Sequence, residues 1–390
     1  MICTNGLSAG DNIGMTIGFD GSRAFVSGRT GTENYSYQLL KALAQIDQKN
    51  QYIVYLRSGG QTEKWPQNFH LKIINWPRLW TQGGLALQTF KDSLDVLFVP
   101  AHTLPLFRRP GLKTVVTVHD LGSEYLPSMH QVKQRLYLSL MQKYQLKTAD
   151  RLIAVSKATK DDLVQRVGIN PDKITVVYEG YDKNLFKPVK DDVLVNSLRQ
   201  YGLKIGEYFL FVGTVQPRKN LERLIKAFVL HLRGAIQSDT YAHLGGVIKL
   251  VIAGQKGWLS DKIYKLPKQL GIEERVKFLG FVSEEDLPVL YSGALAFTFP
   301  SLFEGFGLPV LEAQACGCPV LTSSSSSLPE VAGKGAVYVD PYSIDDIVKG
   351  IERVKRKGVR GKLIEAGFEN IKRFSWEKCA EETLEVLLSS

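Results

Sequence analysis

Short apolar runs alternate with helical patterns along most of this chain, and the series runs twice. The first set is Met15–Phe19, Tyr52–Leu56, Leu94–Val99, Lys113–Val118, Arg151–Val155 and Ile174–Val177. The second is Tyr208–Val212, Val247–Ala253, Val276–Leu279, Ala294–Phe299, Val320–Thr322 and Ala336–Val339. Helical periodicity occupies Thr32–Ile46, Lys157–Val167, Leu221–Leu232, Ser343–Lys355 and Val359–Lys372 between them. Parallel strands need long crossovers, and strands covered on both faces lose the polar alternation of half-exposed ones. The pattern therefore predicts two doubly wound α/β domains, each with a parallel sheet. At 390 residues the chain is longer than one core usually serves. The polar, strand-free stretch Asp182–Gly206 separates the two series and places the boundary near Pro188. Residues 15–187 then form one domain and 188–372 the other. Residues 1–14 read as a loose extension, because they contain Asp11 and no apolar core of signal-peptide length.

Ligands of open parallel sheets bind beyond the carboxyl ends of the strands, so the loops there carry the argument. The segment from Pro300 to Glu312 follows one such strand and holds Glu304 and Glu312 across a glycine-rich turn. Pro309 suits the start of a helix, where its missing N–H is no loss. Gly305 and Gly307 let the backbone approach a ligand beside a helix N-terminus with free N–H groups. Carboxylates for hydroxyls next to amides for an anion suit a nucleotide sugar. The plainer alternative is a strand–loop–helix connection with two solvated glutamates. Gly213-Thr214-Val215-Gln216-Pro217-Arg218-Lys219-Asn220 follows the first strand of the second series, with Asn220 placed to cap the next helix. Lys219 can act there as a point charge and Arg218 as a fork on a diphosphate; a solvated basic loop is the alternative. His119 ends a strand of the first series, either facing the ligand or capping the strand. Gly28 to Thr32, between the first strand and first helix, lets the backbone near an anion but is not G-x-G-x-x-G.

The net charge of +10 fits an anionic partner: a nucleotide diphosphate, a membrane surface or nucleic acid. No zinc-finger or RNA-binding signature is present, so no nucleic-acid partner is expected. Cys316 and Cys318 are too close for the common zinc spacings and have no second pair. They read, with Cys3 and Cys379, as reduced residues of a cytoplasmic protein. There is no Walker loop and no D-x-D pair, so phosphate binding is expected to need no metal. No run approaches the roughly 18 apolar residues of a membrane span, so any membrane contact is peripheral. Val132, Leu136, Leu140 and Tyr144 form a helical stripe more suited to a core. The basic residues around them, with Leu106-Phe107-Arg108-Arg109, offer a surface to anionic lipid at the inner face of the membrane. The serine run Ser323–Ser327 reads as a loop before a helix.

Together these segments resemble the retaining family 4 (group 1) glycosyltransferases of the GT-B fold, from about Met15 to the C-terminus. The pair Glu304 and Glu312 is similar to the family's E-x7-E hallmark, and Gly213 to Asn220 to its diphosphate loop. Ala313 to Val320, Ser327 to Val331, Gly18 to Arg23, His119-Asp120 and Ala149 to Arg151 resemble further family segments. The resemblance implies that Arg218 and Lys219 bind the donor diphosphate and Glu304 the transferred sugar. It gives the amides of Gly305, Phe306, Gly307 and Leu308 to sugar and phosphates, and Glu312 to the ribose. His119 would meet the sugar near its anomeric carbon, Val282 the base through its backbone, and helix Trp376–Leu388 the first domain. Thr214 stands where some members carry a phosphate-binding arginine, and the Gly28–Thr32 loop departs from the commonest form, which leaves the share of Gly31 open. No cofactor is implied; the co-substrate is GDP-mannose, or else a UDP-sugar, and the acceptor is a saccharide or lipid-linked hydroxyl. The general look of Leu104 to Phe107 and Val115 to Asp120 resembles bacterial mannosyltransferases of polysaccharide assembly. A nucleotide-sugar epimerase on the same fold, or a non-catalytic nucleotide-sugar-binding subunit, are the alternatives.

Overall fold

The computed structural model describes residues 14–26, 31–59, 64–101, 103–121, 143–237 and 248–390. The first series folds into seven strands: β1 (Thr16–Asp20), β2 (Gln51–Leu56), β3 (Phe69–Ile73), β4 (Val96–Val99), β5 (Lys113–Val118), β6 (Arg151–Ala154) and β7 (Ile174–Val176). The second supplies six: β8 (Tyr208–Val212), β9 (Lys249–Ala253), β10 (Val276–Gly280), β11 (Ala296–Phe299), β12 (Val320–Ser323) and β13 (Ala336–Val339). The sheets are ordered β3-β2-β1-β4-β5-β6-β7 and β10-β9-β8-β11-β12-β13. All pairings are parallel. The molecule thus has the two Rossmann-like lobes of a GT-B architecture. In each sheet the order reverses at one place, between β1 and β4 and between β8 and β11. A crevice opens beyond the strand ends at such a reversal.

Burial explains why the strands were legible. All five residues of β8 are buried, as are all four of β4 and of β11. Phe299 stacks on Phe211 and Phe297 at 5.7 and 5.4 Å. Burying each such ring contributes about 1.5–3 kcal/mol. Strand β3 is an exception that the periodicity missed. It lies at the sheet edge with only Phe69 buried, and His70 and Lys72 along it carry no apolar signal. Asp182–Gly206 has no strand, as expected, but it does contain a helix, Asp191–Arg199.

Helix Trp376–Leu388 packs on the first lobe. Ser375 caps it by accepting from the Lys378 amide at 3.1 Å. Trp376, Cys379, Ala380 and Leu387 share one apolar cluster with Leu39, Leu40 and Leu43 of helix Gly31–Ile46. Phe306, Leu311 and Val331 of the second lobe enter the same cluster. A polar latch joins the lobes nearby. The Glu330 carboxylate accepts from the amides of Lys157 and Ala158 at 3.1 and 3.0 Å and from the Tyr178 hydroxyl at 3.1 Å. Those amides open helix Lys157–Asp162, where backbone donors lack partners inside the helix and favour negative charge.

Among the described residues, no helix is long and apolar enough to cross a membrane. Val132, Leu136 and Leu140 of the expected helical stripe, Cys3, and Gly28, Arg29 and Thr30 of the first glycine loop lie outside the described residues. Tyr144 is described and exposed.

Candidate active site

The loops after β8 and β11 flank the reversal point of the second sheet, and the structure brings their charged residues into contact. Arg218 and Lys219 form the short turn Pro217–Lys219. Arg218 donates to the Glu304 carboxylate at 2.7 Å and to the Phe303 carbonyl at 2.8 Å. Lys219 donates to the other Glu304 oxygen at 2.7 Å. Its ammonium also sits 4.8 Å over the Phe299 ring. The three side chains retain only 20%, 10% and 8% of their exposure, in the order Arg218, Lys219, Glu304. The expectation had given the cations to a diphosphate and Glu304 to a sugar. In this structure they hold one another, because β8 and β11 are neighbours and their loops meet.

The electrostatics follow from that contact. Burial alone would raise the Glu304 carboxyl, but the charges of Arg218 and Lys219 outweigh it and hold it at about 2. Burial pulls the Lys219 ammonium down to about 8, with Glu304 opposing part of the fall. Asp120, from the first lobe, lies close enough to favour the charged form of both cations.

Asn220 stands directly before helix Leu221–Gln237 and its backbone carbonyl accepts from the Leu224 amide at 3.1 Å, but its side chain is used elsewhere. It has left-handed backbone geometry, φ 61°, and its amide nitrogen donates to the Pro300 and Pro341 carbonyls at 2.9 and 2.7 Å. Its side-chain oxygen accepts from Arg223. Its side chain thereby ties the phosphate-loop candidate to the Glu304 loop.

The backbone from Glu304 to Leu308 is held from behind by serines. The Ser327 hydroxyl shares its one proton between the Glu304 and Phe306 carbonyls, at 2.9 and 2.6 Å, and Ser326 also donates to Glu304. Ser323 reaches the Ser301 carbonyl and Ser325 the Leu302 carbonyl. The serine run is therefore a comb of short donors on one loop. Five serines in a row at a strand end, the first of them the last residue of β12, were the available signal, and the sequence reading passed over them as connection. With these carbonyls turned toward the serines, the amides of Gly305, Phe306, Gly307 and Leu308 meet no acceptor among the described residues. They lie at the start of helix Leu308–Ala315. The helix begins one residue before Pro309, so Glu312 opens its second turn.

Two glycines in this loop are required by geometry. A Cβ on Gly305 would stand 1.9 Å from the His119 carbonyl oxygen across the lobes. Gly307 has φ +117°, a conformation that L side chains rarely adopt. The Phe306 side chain points away from any ligand role. It is buried against Tyr178 and Phe374 at 6.1 and 5.8 Å, so only its amide remains a site candidate.

Glu312 accepts from the buried Tyr291 hydroxyl at 2.9 Å. Burial pushes its carboxyl up to about 8, against that hydrogen bond and with help from the Glu284 charge. Val282 follows β10 and is half-buried against the second core. Thr214 lies in the loop after β8, packed on Gly257 of the loop after β9. Gly31 begins helix Gly31–Ile46, with open space where a Cβ would be.

His119 follows β5 and is buried. Its Nε2 lies 2.9 Å from the Pro100 carbonyl and its Nδ1 3.3 Å from Glu179. Burial works against a charged imidazole, but Glu179 and the Pro100 carbonyl outweigh it and raise the ring above its ordinary value. Thr159 contacts the carbonyls of both His119 and Gly305, at 3.2 and 3.3 Å, at the junction of the lobes. Sequence reasoning missed Glu179. A charged residue two positions after the apolar run Ile174–Val177, just past its strand's carboxyl end, was the signal that could have found it.

The family model for group 1 glycosyl transferases matches residues 196–369, and that for glycosyltransferase family 4 matches residues 29–185. The O-antigen chain mannosyltransferase B of Escherichia coli is 30% identical over 273 residues, 70% of this chain and 69% of that protein. The O-antigen chain mannosyltransferase RfbU of Salmonella typhimurium is 30% identical over 256 residues, 65% of this chain and 64% of that protein. Among solved structures, the sucrose-phosphate synthase of Thermosynechococcus elongatus superposes with a TM-score of 0.75 at 21% identity, covering 96% of this chain and 98% of its own.

Proposed function

This chain belongs to the group 1 glycosyltransferases, and on that premise we propose that it transfers mannose, or else another hexose, from a nucleotide-diphosphate donor to a hydroxyl of a saccharide or lipid-linked acceptor, with retention. The observation that carries this reading is the Arg218–Glu304–Lys219 triad beside the amides of Gly305 to Leu308, which have no partner among the described residues. Negative charge grows on the diphosphate as the glycosyl–phosphate bond breaks. Fixed cations and amides that already face that point stabilise the transition state more than the ground state. Lys219 and Arg218 supply the positive charge that a divalent ion supplies elsewhere, so we assign no metal and no cofactor. The mannosyltransferase names of the two O-antigen relatives favour GDP-mannose over a UDP-sugar.

Glu304 is a poor candidate for a nucleophile or a base. Both its oxygens are engaged by cations, and its carboxyl is held at about 2. Retention then proceeds on the face the diphosphate leaves. The anomeric carbon loses its bond to the phosphate oxygen and gains one to the acceptor oxygen, and the acceptor's proton passes to the departing phosphate. Glu304 keeps lone pairs for sugar hydroxyls. Glu312, with its raised carboxyl, is placed for the ribose, and the Val282 backbone for the base. Lobe closure across Gly305 and His119 excludes water. The test is release of nucleoside diphosphate when donor and acceptor are supplied together. It should proceed in the presence of a chelator, and the true donor should raise Tm most in a screen of nucleotide sugars. Donor-induced stabilisation with no release in any acceptor screen would favour a binding subunit instead.

The acceptor's membrane is also proposed as a partner, with the protein cytoplasmic and peripheral. Phe107 is 79% exposed, Leu79 78% and Phe90 56%. Gln82 holds the carbonyl and amide of Leu104 and Leu106, and Arg108 donates to the Thr148 carbonyl, which sets these residues and Tyr144 on adjoining segments. Arg78, Lys91, Lys143 and Lys147 lie on the same segments. Apolar tips among cations suit anionic lipid. The protein should co-sediment with vesicles containing anionic lipid and less with neutral ones, and Phe107→Ser should weaken it. Equal sedimentation of wild type and Phe107→Ser would remove this partner.

A further inference from the structure

We propose that Glu179 is a positioning residue for the transfer reaction: it fixes the His119 ring and keeps it an imidazolium at the junction of the lobes. This rests on the reading of the cleft as the site of glycosyl transfer. Both ring nitrogens of His119 face acceptors, Nε2 the Pro100 carbonyl and Nδ1 the Glu179 carboxylate. A neutral imidazole has one N–H and can serve only one of them as donor; an imidazolium serves both. The ring is clamped on its remaining side by Tyr35, edge-on at 4.6 Å, whose hydroxyl in turn contacts Thr117 at 3.2 Å. His119 and Glu179 are only 9% and 4% exposed, so water does little to screen the pair.

Of the charged groups around the ring, Glu179 favours its charge most and Asp120 less. From its own loop comes Asp120, which also lies near Arg218 and Lys219. From helix Gly31–Ile46 comes Tyr35, and from helix Trp376–Leu388 comes Cys379, which lies near Tyr35 and Glu179. Burial holds both the Tyr35 phenol and the Cys379 thiol well above their ordinary values, so both stay neutral. The Thr159 hydroxyl and Gly305 meet the His119 carbonyl, not its ring. Glu179 therefore sits behind the imidazolium and offsets its burial, while the His119 backbone touches the loop of Glu304 and Gly305. The fixed ring in turn sets the His119 backbone against the Gly305 loop, on the first-lobe side of the site.

The experiment has two arms. In the wild-type protein, nitrogen NMR of the histidines, with His119 assigned by its loss in His119→Asn, should show both ring nitrogens protonated at pH 7. In Glu179→Gln the amide cannot supply the charge. The alkaline limb of the kcat/KM profile should then move down by at least about one pH unit, about a tenfold rate loss above it. Glu179→Asp should recover part of that shift. A purely packing role for Glu179 would lower stability without moving the limb. A singly protonated His119 at pH 7, or a Glu179→Gln limb that coincides with wild type, overturns the proposal. Absence of transfer in the wild type would instead overturn the functional reading, while the NMR arm still reports on the pair.

Discussion

Lys219→Ala is expected to retain its fold and lose about 100- to 1000-fold in kcat, the range seen when one preorganised donor to a developing oxyanion is removed. The stability side follows from the triad. Lys219 is held at about 8 by burial, so its ammonium is costly to bury below that pH. Its removal leaves Glu304 still paired with Arg218 at 2.7 Å. Charge is lost where the leaving diphosphate needs it, while the buried carboxylate keeps a partner. The measurement is steady-state turnover beside a thermal melt. A drop in Tm that parallels the drop in kcat would mean that Lys219 acts through folding. Wild-type turnover in the variant would remove the electrostatic account.

Glu304→Ala should have the opposite profile, with a large loss of stability as well as of activity. It leaves Arg218 and Lys219 side by side, buried and without their shared carboxylate. Breaking a buried pair by deleting one partner costs about 3–5 kcal/mol. Lys219 then falls further below about 8, because only Glu304 and, more weakly, Asp120 favour its charged form while Arg218 opposes it. The pH dependence has a definite sign. Glu304 has a folded value of about 2, below the ordinary carboxylate value, so its stabilisation is present above that ordinary value. It is lost as pH falls toward about 2. The stability gap between wild type and Glu304→Ala should therefore be full at pH 6 and narrow on acidification. A gap that is constant from pH 6 to pH 3 would mean that the carboxylate's charge is not what Arg218 and Lys219 need.

Much of this molecule was legible before its coordinates. The continuous apolar runs of β4, β8 and β11 are buried along their whole length, so their positions followed from the local pattern. Strand β3 was not, since an edge strand with one buried residue has nothing to distinguish it from a loop. Arg218, Lys219, Glu304 and Glu312 could be placed at strand ends because loops there face the crevice. Their pairing could not. It depends on β8 lying beside β11, which follows from the order of the sheet and not from the order of the chain. Glu179 was missed for the same reason, since its partner His119 stands 60 residues away in sequence. The serine run was visible as composition, but its meaning lies in the carbonyls of the neighbouring loop. Asn220 shows a half-legible case. It stands at the helix start as its residue type suggests, but its side-chain amide joins neighbouring loops instead of the helix N–H groups.

The central claim is that the second-lobe cations and the amides of Gly305 to Leu308 receive the charge of the departing diphosphate. A crystal structure with the nucleoside diphosphate bound tests it most directly. The account predicts phosphate oxygens about 3 Å from Lys219 and Arg218 nitrogens, with the loop amides turned to the same group. A diphosphate seated elsewhere in the cleft, with both cations still held only by Glu304, would contradict it.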